Sequence, residues 1–213
     1  MLTVKRFIFN PVQENTYVVY DEKDACCLID PGCYFQEEKD SLRVWLNEHH
    51  LTPGLLLNTH CHLDHVFGNK WVAEHFGLQL QIGEHERSTF DLAPEFGETW
   101  GLPFENYKGS INYLREGDCV GVGEDELEVL FTPGHSAGHL SFYNKSQGFV
   151  LSGDVLFRLS IGRTDIPGGD MNTLLKSIRE KLFALPDDTI VYPGHGDPTT
   201  IGYEKENNPF VGG

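Results

Sequence analysis

The chain has 213 residues, 39% of them hydrophobic, which is enough for one large domain with a substantial core. Its 16 Lys and Arg stand against 32 Asp and Glu, a formal charge of −16. With no basic run anywhere, a polyanion would be repelled, so no nucleic-acid partner is expected.

Met1 to Phe9 carries too few apolar residues for a signal peptide or a membrane span, and Asn10-Pro11 cuts it short. A cytoplasmic location with no membrane partner is the expectation. Apolar runs bounded by turn residues then predict strands over Val4–Phe9, Thr16–Tyr20 and Cys26–Ile29, ending in an Asp30-Pro31-Gly32 turn. Leu42, Val44, Trp45 and Leu46 mark a helix from about Glu37 to His49. Pro53-Gly54 returns the chain to extended form, Leu55–Leu57 reads as a short buried strand, Val66–Phe76 as the helix after it, and Leu80–Ile82 as another strand. Residues 86–114 are rich in Gly, Pro and aromatics with weak periodicity, and read as an irregular insertion that could wall or cover a site. Strands are predicted again over Asp118–Val122, Leu127–Phe131, Leu140–Tyr143 and Phe149–Leu151. Leu174, Leu175, Ile178, Leu182 and Phe183 give a helical period over Met171–Leu185, and Ile190–Tyr192 is a final strand. Each half therefore gives strands and then a helix, with no low-complexity linker. A single domain over residues 1–213 is expected, with two sheets face to face and helices outside.

Cys26, Cys27, Cys33, Cys61 and Cys119 are odd in number and lack C-x-x-C spacing, which argues against a disulfide framework or a thiolate metal site. They read as small buried hydrophobes.

The stretch Thr59-His60-Cys61-His62-Leu63-Asp64-His65 packs three imidazoles and a carboxylate onto a strand-to-helix turn. Alternation along an extended segment lets His60 and His62 converge on one ion and turns Cys61 away. Asp64 and His65, where the chain starts to coil, can face a second ion nearby. Three later islands put single ligand-type residues on glycine turns after strands: His135 and His139 after Thr132-Pro133-Gly134, Asp154 after Ser152-Gly153, and His195 after Tyr192-Pro193-Gly194. In each, a small residue lets the backbone approach something closely, and one common pocket would explain all three. His49, His50, His75 and His85 read as solvated or satisfied residues.

This pattern closely resembles that of the metallo-β-lactamase superfamily, T-H-x-H-x-D-H followed by single His, Asp and His residues, over essentially the whole length. The resemblance implies an α+β fold, a four-layer αββα sandwich. It implies His60, His62 and His135 as ligands of a first metal, Asp64, His65 and His195 as ligands of a second, and Asp154 as the bridge. Asp30 matches the Asp that braces the metal loop, and His139 stays outside the ligand set. The nitrogen and oxygen donors suit two divalent ions, zinc first, with iron or manganese also compatible. Two such ions roughly 3.5–4 Å apart can share a water and lower its pKa toward about 7, supplying hydroxide as a nucleophile and polarising a carbonyl. Asp64 could also act catalytically in proton transfer.

The tail from Pro193 to Phe210 is similar to the end of the catalytic domain in the glyoxalase II group, as are Gly153–Phe157 and Ile161–Asp165. Those enzymes hydrolyse S-D-lactoylglutathione and related hydroxyacyl thioesters. The likeness implies a thioesterase acting on a small molecule, a glutathione thioester, as a monomer or homodimer, with Arg163 as a substrate-binding residue. Two departures stand out: the chain stops at Gly213 with no helical glutathione-binding domain, and Asp165 occupies the place of a Tyr. Gly162-Arg163-Thr164-Asp165 also resembles the persulfide dioxygenases, which bind one iron. That group, and lactonase or β-lactamase chemistry, are the alternatives.

Overall fold

A computed structural model describes residues 1–212. The first half of the chain builds a six-stranded sheet whose strands lie side by side in sequence order: β1 (Thr3–Phe9), β2 (Glu14–Tyr20), β3 (Cys26–Ile29), β4 (Leu55–Leu57), β5 (Leu80–Gly83) and β6 (Ile111–Leu114). The first three strands are antiparallel and joined by turns. From β3 onward the pairing is parallel, which requires a crossover at each step. Helix α1 (Gln36–Glu48) makes the first crossover, α2 (Leu63–Val66) with α3 (Asn69–Phe76) the second, and α4 (Arg87–Trp100) the third.

The second half contributes β7 (Cys119–Val122), β8 (Asp125–Phe131), β9 (Leu140–Asn144) and β10 (Phe149–Gly153), then a small hairpin, β11 (Leu156–Phe157) with β12 (Ser160–Ile161). Helix α5 (Met171–Ser177) continues into a π-helical turn over Ile178–Leu182, followed by β13 (Ile190–Pro193), β14 (Thr199–Thr200) and α6 (Ile201–Asn207). The second sheet has the order β14-β13-β10-β9-β8-β7.

Side-chain alternation sorts the apolar residues into three cores. On β2 and β3, Tyr17, Val19, Cys27 and Ile29 face the second sheet, where they pack with Leu127, Val129, Leu140 and Phe142. Their neighbours Val18, Cys26 and Leu28 face outward against Leu42 and Leu46 of α1, Val72 of α3 and Phe90 of α4. On the other side, Leu130, Val150 and Val191 meet Leu174, Ile178, Leu182 and Ile201. The layers are therefore helix, sheet, sheet, helix, as expected, and β3 is apolar throughout because both its faces are covered.

Three predicted elements differ. The helix expected over Val66–Phe76 is two pieces, since Gly68 interrupts it where its N–H bonds the Pro31 carbonyl at 2.7 Å and a Cβ would lie 2.5 Å from the Cys33 sulfur. The expected Met171–Leu185 helix changes to π geometry at Ile178. Residues 86–114 are not irregular: they hold α4 and β6. Pro94 and Gly97 hide the helix in the sequence. The Phe90 carbonyl, which the Pro94 ring nitrogen cannot bond, accepts instead from the Asn106 amide.

Candidate metal centre

Every predicted ligand lies in a segment that follows a strand, on the same edge of the sandwich. The loop after β4 supplies His60 and His62, α2 supplies Asp64 and His65, and the turns after β8, β10 and β13 supply His135, Asp154 and His195. The ligand-type atoms of His60, His62 and His135 lie within 4.8 Å of one another, and so do those of Asp64, His65 and His195. Asp154 stands between the two groups. Its Oδ2 is 3.5 Å from His135 Nε2, and its Oδ1 is 3.5 Å from His65 Nε2. Gly194 makes this possible, since a Cβ there would lie 2.0 Å from Asp154 Oδ1.

Hydrogen bonds fix which nitrogen each ring presents. His65 Nδ1 donates to Asp30 Oδ2 at 3.1 Å, His135 Nδ1 to the Arg163 carbonyl at 2.8 Å, and His195 Nδ1 to the Gln13 carbonyl at 3.2 Å. The hydroxyl of Thr59 spends its hydrogen on Asp30 Oδ2 at 2.6 Å, so His60 Nδ1, 3.0 Å away, is the donor to that oxygen. In all four rings Nε2 is the nitrogen left facing the cluster. His62 is turned the other way, with Nδ1 2.8 Å from His135 Nε2.

His60 Nε2, His65 Nε2 and Asp154 Oδ1 are buried without any hydrogen-bond partner. Such atoms are costly unless something satisfies them, and a cation between them would. Electrostatics agree. Burial and the adjacent His135 hold the His62 ring down to about 3, and burial with His65 and His62 keeps His60 neutral as well. Burial opposes the charge on Asp154, but His65 and His195 hold its carboxyl far below the usual range. Burial likewise works against protonation of His65, yet Asp64 and Asp154 drive it upward. Neutral imidazoles beside ionised carboxylates are the protonation states a divalent ion needs, and the protons on the second group stand where a cation's charge would.

Asp30 also lies near His60 and His65, but its oxygens are taken by Asn58, Thr59 and His65. It holds the loop and offers nothing to an ion. Cys61 is fully buried in the outer core, and burial pushes its thiol up. His49, His50, His75 and His85 are exposed, away from the cluster.

A model of the metallo-β-lactamase superfamily matches residues 9–195. The chain belongs to this superfamily. Among its relatives, the probable metallo-hydrolase YqgX of Bacillus subtilis (strain 168) is 38% identical over 98% of this chain and 97% of its own length. The hydroxyacylglutathione hydrolase GloC of Haemophilus influenzae (strain ATCC 51907 / DSM 11121 / KW20 / Rd) is 38% identical over 93% of each chain. A solved structure of TTHA1623 in a di-iron-bound form superposes with a TM-score of 0.88 at 36% identity, covering 98% of this chain and 100% of that one. In keeping with a metallo-hydrolase superfamily, the cluster opens into a cavity of about 440 Å³, lined in part by His62, Asp64, His135, Asp154 and His195.

Two residues of this superfamily member outside the predicted ligands brace the cluster, and the first carries no signal in the sequence. Glu86 is buried, and its Oε2 accepts from the Cys61 N–H at 2.8 Å while Oε1 accepts from the Ser136 hydroxyl at 2.6 Å and the Gly138 N–H at 2.7 Å. It ties the His60–His62 loop to the His135 turn. His139 accepts the Asp154 N–H at 3.1 Å through Nε2 and stacks on His60, so it positions the carboxylate without touching the cavity. Arg163 is exposed at the rim, with Nε and Nη2 both bound to the Asp165 carboxylate at 2.7 and 2.9 Å. Its backbone carbonyl orients His135, while its fork is occupied.

Proposed function

We propose that the chain is a dinuclear metal-dependent hydrolase that cleaves hydroxyacyl thioesters, with S-D-lactoylglutathione as the reference substrate. The observation that carries the reading is Asp154, whose carboxylate lies within 3.6 Å of ring nitrogens from both histidine groups while buried nitrogens around it lack partners. His60, His62 and His135 would hold one ion, Asp64, His65 and His195 the other, and Asp154 both. Seven ligands of this kind exceed what a single iron held by two His and one Asp requires, which disfavours the dioxygenase alternative. A relative named as a hydroxyacylglutathione hydrolase and a di-iron-bound neighbour support the same direction.

Bound there, divalent ions would supply Lewis acidity and a water acidic enough to be deprotonated near neutral pH. The chain's own residues do the rest. Nδ1 hydrogen bonds hold four imidazoles in register, and the apolar cavity walls limit competing water. Asp64, on the cavity wall and ionised, can accept a proton from the attacking water and return it to the sulfur as the acyl C–S bond breaks. The products are a hydroxy acid and a thiol. No protein nucleophile is required, consistent with a Cys61 thiol that faces the core.

Thiol release from S-D-lactoylglutathione by purified, metal-loaded protein is the test. Saturable hydrolysis that stops on chelation is expected. Oxygen uptake on glutathione persulfide without thioester hydrolysis would instead establish the dioxygenase reaction.

A further inference from the structure

The thioesterase reading leaves open which arm of the substrate the cavity grips, and the walls answer in apolar terms. Helix α4 presents Leu92, Phe96 and Trp100 on one side, and the chain from β11 onward presents Phe157, Ile161 and Ile166 on the other. Leu92 is 37% and Trp100 48% exposed, so the mouth of the cavity carries large apolar groups in water. The Phe157 ring lies 6.2 Å from the ring of His195, which places the apolar wall directly beside the candidate metal centre. Exposed apolar surface that continues into a cavity of about 440 Å³ is the pattern of a small-molecule site.

Charge is nearly absent from these walls apart from the cluster itself. Among the described residues that line the cavity, Arg163 is the only Lys or Arg, and the Asp165 carboxylate takes up its guanidinium. Ser88 and Thr89 add hydroxyls without charge. Glutathione carries two carboxylates, each of which needs a cationic or multiply donating partner once desolvated. The formal charge of −16 works against both at longer range.

Resting on the thioesterase reading, we propose that the site is selective for thioesters whose thiol arm is uncharged and apolar, an aryl or alkyl thiol, over those of glutathione. The arm lies against Phe96, Trp100 and Phe157, and the acyl carbon faces Asp154 and His62.

The test compares two thioesters with one acyl group, the D-lactoyl esters of benzyl mercaptan and of glutathione, on metal-loaded wild type and on Trp100→Ala. Trp100 is half exposed, so its truncation leaves no core cavity. Wild type is expected to show a kcat/KM at least tenfold higher on the benzyl ester, carried by KM. Trp100→Ala should raise KM on the benzyl ester several-fold and on the glutathione ester by less than about twofold. Calorimetric binding of two inert thioethers, benzyl methyl sulfide and S-benzylglutathione, gives a second reading that needs no turnover, and the uncharged compound is expected to bind at least tenfold tighter. A glutathione ester turned over as well as or better than the benzyl ester, or S-benzylglutathione binding as tightly, would overturn the selectivity while leaving thioester hydrolysis intact. If neither ester is cleaved yet benzyl methyl sulfide is preferred, the reaction class is wrong and the apolar selectivity stands.

Discussion

Glu86 shows how a carboxylate outside the ligand set can govern the cluster. Its three accepted hydrogen bonds join the loop after β4 to the turn after β8, and burial raises its pKa although those donors favour the charged form. Glu86→Gln would set an amide donor against either the Cys61 N–H or the donors at Ser136 and Gly138. Metal affinity is expected to fall about 10–100-fold, as for other residues that orient ligands. Competition with a chromophoric chelator measures this directly, and unchanged affinity would show that the two loops hold themselves. The members of the candidate cluster are legible in the sequence because each is a His or Asp in a short motif or on a glycine turn. Glu86 was not, since its partners are two backbone N–H groups and a serine, 25 to 52 residues away, which carry no pattern. His139 was only half legible: its residue type fits a supporting role, but its bond to the Asp154 N–H exists only once β9 and β10 pair.

At the scale of elements, the apolar runs of β2 and β3, bounded by turn residues, and the helical period of α1 point to their structures because both faces of the two strands and one face of the helix are buried in a continuous core. Helix α4 escapes that logic. Its buried Phe90, Ala93 and Gly97 keep helical spacing, but Pro94 and Gly97 imitate a loop, and only the distant Asn106 repairs the lost hydrogen bond. Helix α6 was missed too, although Thr200 caps it by accepting from the Tyr203 N–H at 3.3 Å, a signal of the kind that marks helix starts. The π-helical turn could not be read at all. Leu174, Ile178 and Leu182 at four-residue spacing suit either geometry, and only the bond from the Phe183 N–H to the Ile178 carbonyl distinguishes them. That turn seats Leu182 in the third core with no exposure. Leu182→Ala is expected to cost about 2–5 kcal/mol in urea unfolding, against about 0.5 kcal/mol or less for the neighbouring exposed Arg179→Ala. Equal, small losses would mean that the turn is not packed as described.

Across the whole molecule, the four layers decide which side chains meet solvent and which meet the cluster. Cys26, Cys33 and Cys61 sit in the outer core and Cys27 in the central one, whereas Cys119 on β7 is exposed. Burial pushes the Cys26 thiol up to about 12, so both access and ionisation protect it at pH 8. Ellman's reagent is expected to titrate one of the five thiols in the folded chain and all five after denaturation. Two or more reacting at once in the folded protein would contradict the layering. No helix of the described residues is long and apolar enough to cross a membrane. The same sandwich brings four separate strand ends to one edge, and there Asp154 lies between two groups of candidate ligands. Metal stoichiometry by inductively coupled plasma mass spectrometry tests that junction most directly, on wild type, His195→Ala and Asp154→Ala purified and dialysed side by side. Roughly two ions per chain are expected in wild type and about one in His195→Ala, with both lost or sharply weakened in Asp154→Ala together with turnover. Two ions retained with near-normal turnover in Asp154→Ala would contradict the bridged, dinuclear centre.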